Sequence, residues 1–147
     1  MTTSNHKYYL EVAKTVASRS KCVSLKVGAV LVRDDHIIST GINGTPKGFK
    51  NCCDNFPNGR NSSHSEWSSK REIHAEMNAM LRATVSVEGC TAYVTHSPCF
   101  NCSKHMAAAG IKEIYFIENY SRMYEEDFLE VKNYLSQGNI IYRRIEI

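Results

Sequence analysis

Apolar residues recur at helical spacing at the start of the chain and at strand spacing soon after it. Residues 5–19 carry apolar side chains three and four positions apart, which predicts an amphipathic opening helix. The stretch VGAVLVRDDHIISTGIN then has two β-branched runs on either side of Asp34-Asp35-His36, a pattern typical of a β-hairpin. The apolar positions of the opening helix are Tyr8, Tyr9, Val12, Val16 and Ala17.

The second half of the chain alternates predicted helices with short apolar strands. A helix from about His74 to Val85 has Met77, Met80 and Leu81 as its predicted core stripe. The segments TAYVTH, IKEIYFIE and IIYRRIEI have strand character, and a further helix is predicted between the last two of them, over residues 125–136.

One more predicted helix lies between TAYVTH and IKEIYFIE. Ser97 can serve as its N-cap, and Pro98 suits the first helical position. The helix would run to about Ala109, after which Gly110 can end it.

The run from Gly44 to Lys70 interrupts this alternation. It is polar, contains Pro46, Pro57 and glycines, and shows little apolar periodicity, so we predict a long irregular connection. Because it has too few apolar residues to be anchored by burial alone, something else should order it.

The order α-β-β-α-β-α-β-α-β predicts one α/β domain over residues 1–147. Its five strands would form a single sheet with helices on both faces. The composition, with 42% hydrophobic and 22% charged residues, fits a chain that can bury a core of this size.

Net charge and hydropathy exclude few classes of binding partner. The formal net charge of +3 fits binding of a small anion and does not favour a nucleic-acid surface. The opening MTTSNHKYYLEVAK lacks the apolar core of a signal sequence, and no later stretch is long enough to span a bilayer. We therefore expect a cytoplasmic protein without a membrane partner.

Six cysteines need an explanation in a reducing compartment, where disulfides are rare. Cys99 and Cys102 have the spacing Cys-x-x-Cys, which favours metal or redox chemistry over a crosslink. Cys90 opens a predicted strand, and we expect it to pack in the core.

Two half-motifs carry the predicted chemistry. His74-Ala75-Glu76 and Pro98-Cys99-Phe100-Asn101-Cys102 together match the zinc-deaminase signature H-x-E…P-C-x-x-C. Three ligands of the His-Cys-Cys type leave one corner of a tetrahedral Zn²⁺ open for a water molecule, which the metal activates. Glu76 is not a ligand and is predicted to carry protons to the pyrimidine. Backbone groups near Ala75 and around Ser97 are predicted to hold the ring edge.

Both half-motifs lie at predicted helix starts, where the helix dipole and free N–H groups favour thiolates. Residues i and i+2 of a helix point in nearly opposite directions, so His74 must lie at or just before the helix start if it shares a site with Glu76. Taken alone, the Cys-x-x-Cys could be a redox pair, but a redox pair would need neither His74 nor Glu76. A structural zinc would normally want a fourth protein ligand. The combination favours a catalytic zinc.

Longer matching segments extend beyond the signature: SKCVSLKVGAV, STGINGTPKG, NCCD, HSEWSSKREIHAEMNAM, YVTHSPCFNCSK and AGIKEIYF. With them the chain resembles the deoxycytidylate (dCMP) deaminases of the cytidine deaminase-like superfamily, and HSEWSSKREIHAE is especially similar to the phage-encoded branch. The resemblance implies a three-layer α/β/α sandwich with a mixed sheet. It also implies hydrolysis of dCMP to dUMP for thymidylate synthesis, a homo-oligomer that is often a hexamer, and, for a phage protein, the host cytoplasm.

The same resemblance implies roles for residues outside the zinc signature. Asn43, in the Gly41-Ile42-Asn43-Gly44 turn, would hold the sugar hydroxyl, although Asn-Gly is also an ordinary turn signal. Many family members have an aromatic residue where Ile42 stands. Family members respond to dCTP and dTTP with Mg²⁺ bridging the phosphates, which makes these nucleotides candidate effectors. The implied phosphate and pocket-edge residues are Lys26, Lys47, Tyr120 and Arg122.

A second, structural zinc is also implied by the resemblance, at Cys22, Cys52, His64 and Glu72. One ligand from the opening helix, two from the polar run and one before the catalytic helix would pin this run over the active site. The ordinary alternative is that Cys22 and Cys52 are small buried residues, and Cys53 leaves the choice of ligand open.

Three alternative functions stay open at this point. The same zinc chemistry would serve dCTP, and a polynucleotide or tRNA deaminase would need a basic, aromatic surface that the charge of +3 does not clearly supply. A zinc-binding module without turnover is the alternative outside the enzymes. Glu76 argues against it, because a structural site has no use for a carboxylate beside the metal.

Overall fold

The strands form one sheet, and helices pack against both of its faces. The structure is a computed structural model and describes residues 3–147. The elements in chain order are α1 (Thr3–Ala17), β1 (Gly28–Arg33), β2 (His36–Ile42), α2 (Cys52–Asn55), α3 (His64–Arg71), α4 (Ala75–Arg82), β3 (Thr91–His96), α5 (Phe100–Ala108), β4 (Glu113–Glu118), α6 (Glu125–Ser136) and β5 (Ile141–Arg144).

The strands follow the order β2-β1-β3-β4-β5. Strand β1 is antiparallel to β2 and β3, whereas β4 is parallel to β3 and β5. The hairpin turn consists of Asp34 and Asp35, with φ of 52° and 61°, the backbone that gives two-residue hairpins the twist of their strands. The predicted hairpin and the mixed five-stranded sheet are confirmed.

Alternate residues of each strand point to opposite layers. Val30 and Tyr93 pack against α1, whereas their neighbours Leu31 and Val94 face α4, α5 and α6. This period of two buries both faces of the central strands and gives the three-layer α/β/α sandwich. Within the described residues, no helix is long and apolar enough to cross a membrane.

Helix α4 lies unusually close to the sheet. A Cβ atom at Gly41 in β2 would lie 2.3 Å from the carbonyl oxygen of Ala75, so only glycine fits there. The buried face of α4 contains Ala75, Glu76 and Ala79. Leu81, predicted in the core stripe, is 73% exposed, and the prediction was wrong because a residue two positions after the buried Ala79 points to the opposite side of the helix.

The polar run from Gly44 is more regular than we predicted, since it contains α2 and α3. Both helices are short and polar, which is why the run shows no clear period in the sequence. Gly44 and Ile73 join its two ends through two backbone hydrogen bonds of 3.0 and 2.8 Å. A small apolar cluster beneath it contains Cys22, Val23, Cys52, Phe56 and Trp67.

The start of α5 also differs from the prediction. Cys99, not Ser97, is the N-cap, and its sulfur accepts a hydrogen bond from the backbone N–H of Cys102 at 3.4 Å. The Ser97 hydroxyl instead accepts the N–H of Tyr120 at 2.8 Å. The N-cap position gives the Cys99 sulfur a partial positive environment, as a thiolate requires.

Candidate active site

Three predicted zinc ligands meet at the starts of α4 and α5. His74 Nδ1 lies 3.2 Å from Cys102 Sγ and 3.7 Å from Cys99 Sγ. Bond lengths of about 2.3 Å to sulfur and about 2.0 Å to nitrogen place the ligands of a tetrahedral zinc roughly 3.3–3.8 Å apart. The donor set and its spacing fit Zn²⁺ with one position left for a non-protein ligand.

The position of His74 follows from the start of α4. His74 is the N-cap, with extended backbone at φ −66° and ψ 153°, so its side chain leaves the helical path before Glu76. Its carbonyl still accepts the N–H of Asn78 at 3.0 Å, and the Asn78 amide donates to Ile42 O at 2.7 Å. The prediction that His74 stands at the helix start is confirmed, and Asn78 ties that start to β2.

The Glu76 carboxylate lies in the first turn of α4 and is only 4% exposed. Burial raises the pKa of Glu76 to about 7, although the nearby His74 opposes the rise. A carboxyl group with a pKa near neutrality can both accept and release a proton, which is what a general acid and base needs.

The two thiols share one proton unequally. A hydrogen bond from the Cys102 thiol lowers the pKa of Cys99 to about 4, and His74 acts in the same direction. The hydrogen bond with Cys99 raises the pKa of Cys102 because Cys102 keeps the shared proton. The pair therefore provides one thiolate readily, as metal binding requires.

One cavity opens onto this cluster. Among the predicted residues, it is lined by Asn43, Ala75, Ser97, Tyr120 and Arg122, together with Glu76 and the predicted zinc ligands His74 and Cys99. Five other lining residues were not predicted. The sequence could have indicated His96 as a site residue, because it stands two positions before Pro98 of the zinc signature. The other four belong to no motif in the sequence. The five unpredicted lining residues are Ser24, Leu25, Val27, Ser68 and His96.

Two predicted phosphate ligands lie elsewhere. Lys26 is exposed while its neighbours Leu25 and Val27 line the cavity, and Lys47 is exposed in the loop before α2. The structure therefore does not bring either lysine to the cavity, because alternation along the chain turns Lys26 outward. Arg122 is the only lysine or arginine among the described lining residues.

Asn43 lines the cavity, and its side chain also holds the segment between α1 and β1 through hydrogen bonds. Its Oδ1 accepts the N–H of Val27 and the hydroxyl of Ser20, each at 2.8 Å, and its Nδ2 donates to Leu25 O at 2.8 Å. These bonds use the acceptor oxygen and one of the two amide hydrogens. One N–H remains that could meet a sugar hydroxyl.

The four residues predicted for a second zinc also come together. His64 Nε2 lies 3.2 Å from Cys52 Sγ and 3.8 Å from Cys22 Sγ, and Cys22 Sγ lies 3.4 Å from Glu72 Oε1. The other carboxylate oxygen of Glu72 is buried without a hydrogen-bond partner. All four ligand atoms lie within 4.8 Å of one another, so this set also fits a tetrahedral metal ion.

Two details of the second cluster differ from the prediction. Cys22 lies after the end of α1 and not in the opening helix, because the helix stops at Ala17. Cys53 is exposed and Cys52 is buried, which resolves the choice between them. Cys22, His64 and Glu72 also line the cavity that contains Glu76, so the two clusters share one cavity.

Comparison with known proteins identifies the family. The family model for the cytidine and deoxycytidylate deaminase zinc-binding region matches residues 3–118. The chain belongs to this family. It is 42% identical to the deoxycytidylate deaminase of Enterobacteria phage T4, with 77% of each chain covered, and 38% identical to that of Mycobacterium phage D29, covering 75% of this chain and 91% of the relative.

Solved structures give the same result. The crystal structure of dCMP deaminase from the cyanophage S-TIM5 in complex with dCMP and dUMP matches with a TM-score of 0.77 and 31% identity, covering 99% of both chains. A RibD structure from Acinetobacter baumannii matches with a TM-score of 0.65 at 21% identity, which indicates a common fold. The cytidine deaminase-like fold and the dCMP deaminase resemblance are both confirmed.

Proposed function

We propose that this protein catalyses the zinc-dependent hydrolysis of dCMP to dUMP and ammonia. The observation that carries the proposal is the buried Glu76 carboxylate beside the His74, Cys99 and Cys102 ligand set, in a cavity that also contains Arg122. The likeness of nearly the whole chain to a deaminase solved with dCMP and dUMP supports the choice of substrate.

The roles of the residues follow from their chemistry. His74, Cys99 and Cys102 hold the zinc ion, which supplies Lewis-acid activation of water when bound. Glu76 would carry both protons of the attacking water in turn, the first to N3 of the cytosine ring and the second to the amino group, as the water oxygen bonds to C4 and the C4–N bond breaks to release ammonia. Backbone groups at Ala75 and Ser97 orient the ring, and the free N–H of Asn43 holds the sugar hydroxyl.

The monophosphate is assigned to the mouth of the cavity. Arg122 supplies a fixed positive charge, and its planar guanidinium suits a phosphate. Tyr120 stands at the pocket edge, and its backbone N–H bond to Ser97 holds this segment against the end of β3. A cavity with one arginine fits a small phosphate better than a nucleic-acid strand, which would need an extended basic and aromatic surface.

A second, structural zinc at Cys22, Cys52, His64 and Glu72 completes the metal content that we propose. Its ligands come from the segment after α1, from α2 and α3, and from the residue that follows α3. The ion would stabilise this polar run, whose own apolar cluster is small. The buried, unpartnered oxygen of Glu72 supports the assignment, because a metal would satisfy it.

A basic groove is the candidate effector site. It is lined by Arg19, Lys21 and Arg82, with Asn78 and the Asn43 of the active-site cavity. Three cationic side chains suit the phosphates of dCTP or dTTP, which would bind together with Mg²⁺. Binding of dTTP with Mg²⁺ should weaken in the Arg82→Ala variant, and unchanged affinity by calorimetry would remove the groove from the proposal.

We also assign a homo-oligomer, with a hexamer as the family resemblance suggests. Leu81 in α4, Val85 after it, and Tyr124 and Leu129 at α6 are all more than half exposed. Large apolar side chains exposed on a surface favour burial against another chain. Light scattering coupled to gel filtration measures the assembly, and a monomer at micromolar concentration would contradict it.

A substrate panel tests the proposed function. The kcat/KM should be highest for dCMP, lower for deoxycytidine, which lacks the phosphate, and lower for dCTP, whose extra charges meet a cavity with one arginine. Turnover restricted to cytidines or adenosines in a polynucleotide would replace this function with the alternative one.

A further inference from the structure

His96 is a cavity residue that takes no part in the zinc site or in the proton transfers proposed for Glu76. It ends β3, its side chain is partly buried, and it lines the same cavity as Glu76, Tyr120 and Arg122. Its strand partner across the parallel ladder is Glu118, two residues before Tyr120. The end of β3 and the segment carrying Arg122 are therefore neighbours.

A short relay of hydrogen bonds determines which ring nitrogen of His96 carries the proton. The backbone N–H of Gly28 donates to the Thr95 hydroxyl oxygen at 3.2 Å, and that oxygen lies 2.9 Å from His96 Nδ1. Thr95 is only 5% exposed, and within residues 3–147 its hydroxyl has no other hydrogen-bond partner. Buried hydroxyl groups generally donate their hydrogen, and Nδ1 is the acceptor within reach, so we assign the Thr95 O–H as the donor to Nδ1.

The acceptor role of Nδ1 leaves the proton of a neutral imidazole on Nε2. Burial lowers the pKa of His96, and the weaker opposing effect comes from Glu118. The lowered pKa favours the neutral ring, and within residues 3–147 its Nε2–H has no hydrogen-bond partner.

We propose that His96 is a substrate-binding residue whose Nε2–H donates to a phosphate oxygen of the nucleotide, beside the guanidinium of Arg122. This inference rests on the proposed function, because it assumes a nucleotide in the cavity. A phosphate offers only acceptors at neutral pH, so a neutral donor beside one cation complements it without adding charge. Thr95 is the positioning residue that keeps the donor in place.

The ring tautomer can be measured without any substrate. Two-dimensional ¹H–¹⁵N NMR of histidine-labelled protein should show His96 as the neutral Nε2–H form at pH 7. Thr95→Val removes the hydroxyl while keeping the shape of the side chain, and it should shift His96 toward the Nδ1–H form; Thr95→Ser should not. A wild-type protein with the proton on Nδ1 would overturn the proposal.

Matched variants then test the phosphate contact. His96→Gln places an amide N–H close to the position of Nε2, whereas His96→Asn reaches only the position of Nδ1 and keeps the contact with Thr95. We expect His96→Asn to raise KM for dCMP roughly 10- to 100-fold, the effect of losing a hydrogen bond to a charged group, with kcat little changed. His96→Gln should recover most of the loss.

Deoxycytidine distinguishes a phosphate contact from a structural effect. The His96→Asn variant should handle deoxycytidine like the wild type, since the lost contact is absent from that substrate. An equal loss on dCMP and deoxycytidine would overturn the proposal. If the wild-type protein turns over neither compound while zinc is bound, the proposed function fails first, and the tautomer measurement still reports on Thr95 and His96 separately.

Discussion

Glu76 combines a buried carboxylate, a raised pKa and a place beside the metal ligands. Burial is the main cause that raises its pKa to about 7, so the side chain can exist in either protonation state near neutral pH. A structural metal site gains nothing from such a group, because burying a carboxyl group that is not a ligand costs stability. Proton transfer is the role that we propose for this carboxyl group.

Glu76→Gln tests that role at the level of one residue. The amide has the same shape and leaves His74, Cys99 and Cys102 in place, so the variant should bind zinc as the wild type does. Turnover should fall by roughly 10²- to 10⁴-fold or more, the usual contribution of general acid and base catalysis. Zinc content is measured alongside kcat, and retained activity would refute the assignment.

A comparison of Arg122 with Lys26 tests which basic residue contacts the phosphate of dCMP. Arg122→Ala should raise KM for dCMP roughly tenfold or more, because a charge-assisted contact to phosphate is lost. Lys26→Ala removes an exposed charge outside the cavity and should leave KM within about twofold. Equal effects of the two variants would indicate long-range attraction and not a contact.

At the scale of the elements, local motifs were easier to predict than the segments between them. The signature around His74 and Cys99 predicts its own helix starts, because the geometry of the site demands them. The N-cap of α5 was misplaced by two residues, since Ser97 is the more common capping residue and the sulfur of Cys99 took the role. Helices α2 and α3 have no apolar period, and their order depends on contacts distant in sequence.

The close contact between α4 and β2 predicts that a larger residue at Gly41 destabilises the protein. Gly41→Ala would place a Cβ atom 2.3 Å from Ala75 O and 2.4 Å from the backbone nitrogen of Ala79, so α4 must move. We expect a loss of about 1–3 kcal/mol in the free energy of unfolding, measured by chemical denaturation, and weaker zinc binding because His74 caps this helix. Gly44→Ala is the control, since its Cβ would meet nothing within 4 Å. Equal stability of the two variants would contradict the account.

At the scale of the whole molecule, the second cluster joins three distant parts of the chain. Cys22 follows α1, Cys52 and His64 belong to the polar run, and Glu72 precedes the catalytic helix. No spacing rule in the sequence links these four positions, and the resemblance to phage relatives was needed to predict them. The fold class was predictable from periodicity, whereas the single domain, the cytoplasmic location and the oligomer stay predictions.

Removal of the second metal should therefore affect the whole polar run. Cys52→Ala should lower the zinc content from two ions to one per chain and make the region around residues 44–71 sensitive to limited proteolysis. Cys53→Ala changes an exposed neighbour and should retain both ions. Two tightly bound ions and unchanged proteolysis in Cys52→Ala would contradict the assignment of Cys52 as a zinc ligand.

The central claim is the hydrolysis of dCMP in the cavity that contains Glu76. Purified protein with zinc bound should convert dCMP to dUMP with an equal amount of ammonia, which is followed by the loss of cytosine absorbance and by product chromatography. The reaction should stop when the zinc is chelated and resume when zinc is restored. Absence of dUMP from protein with its catalytic zinc in place would contradict the account.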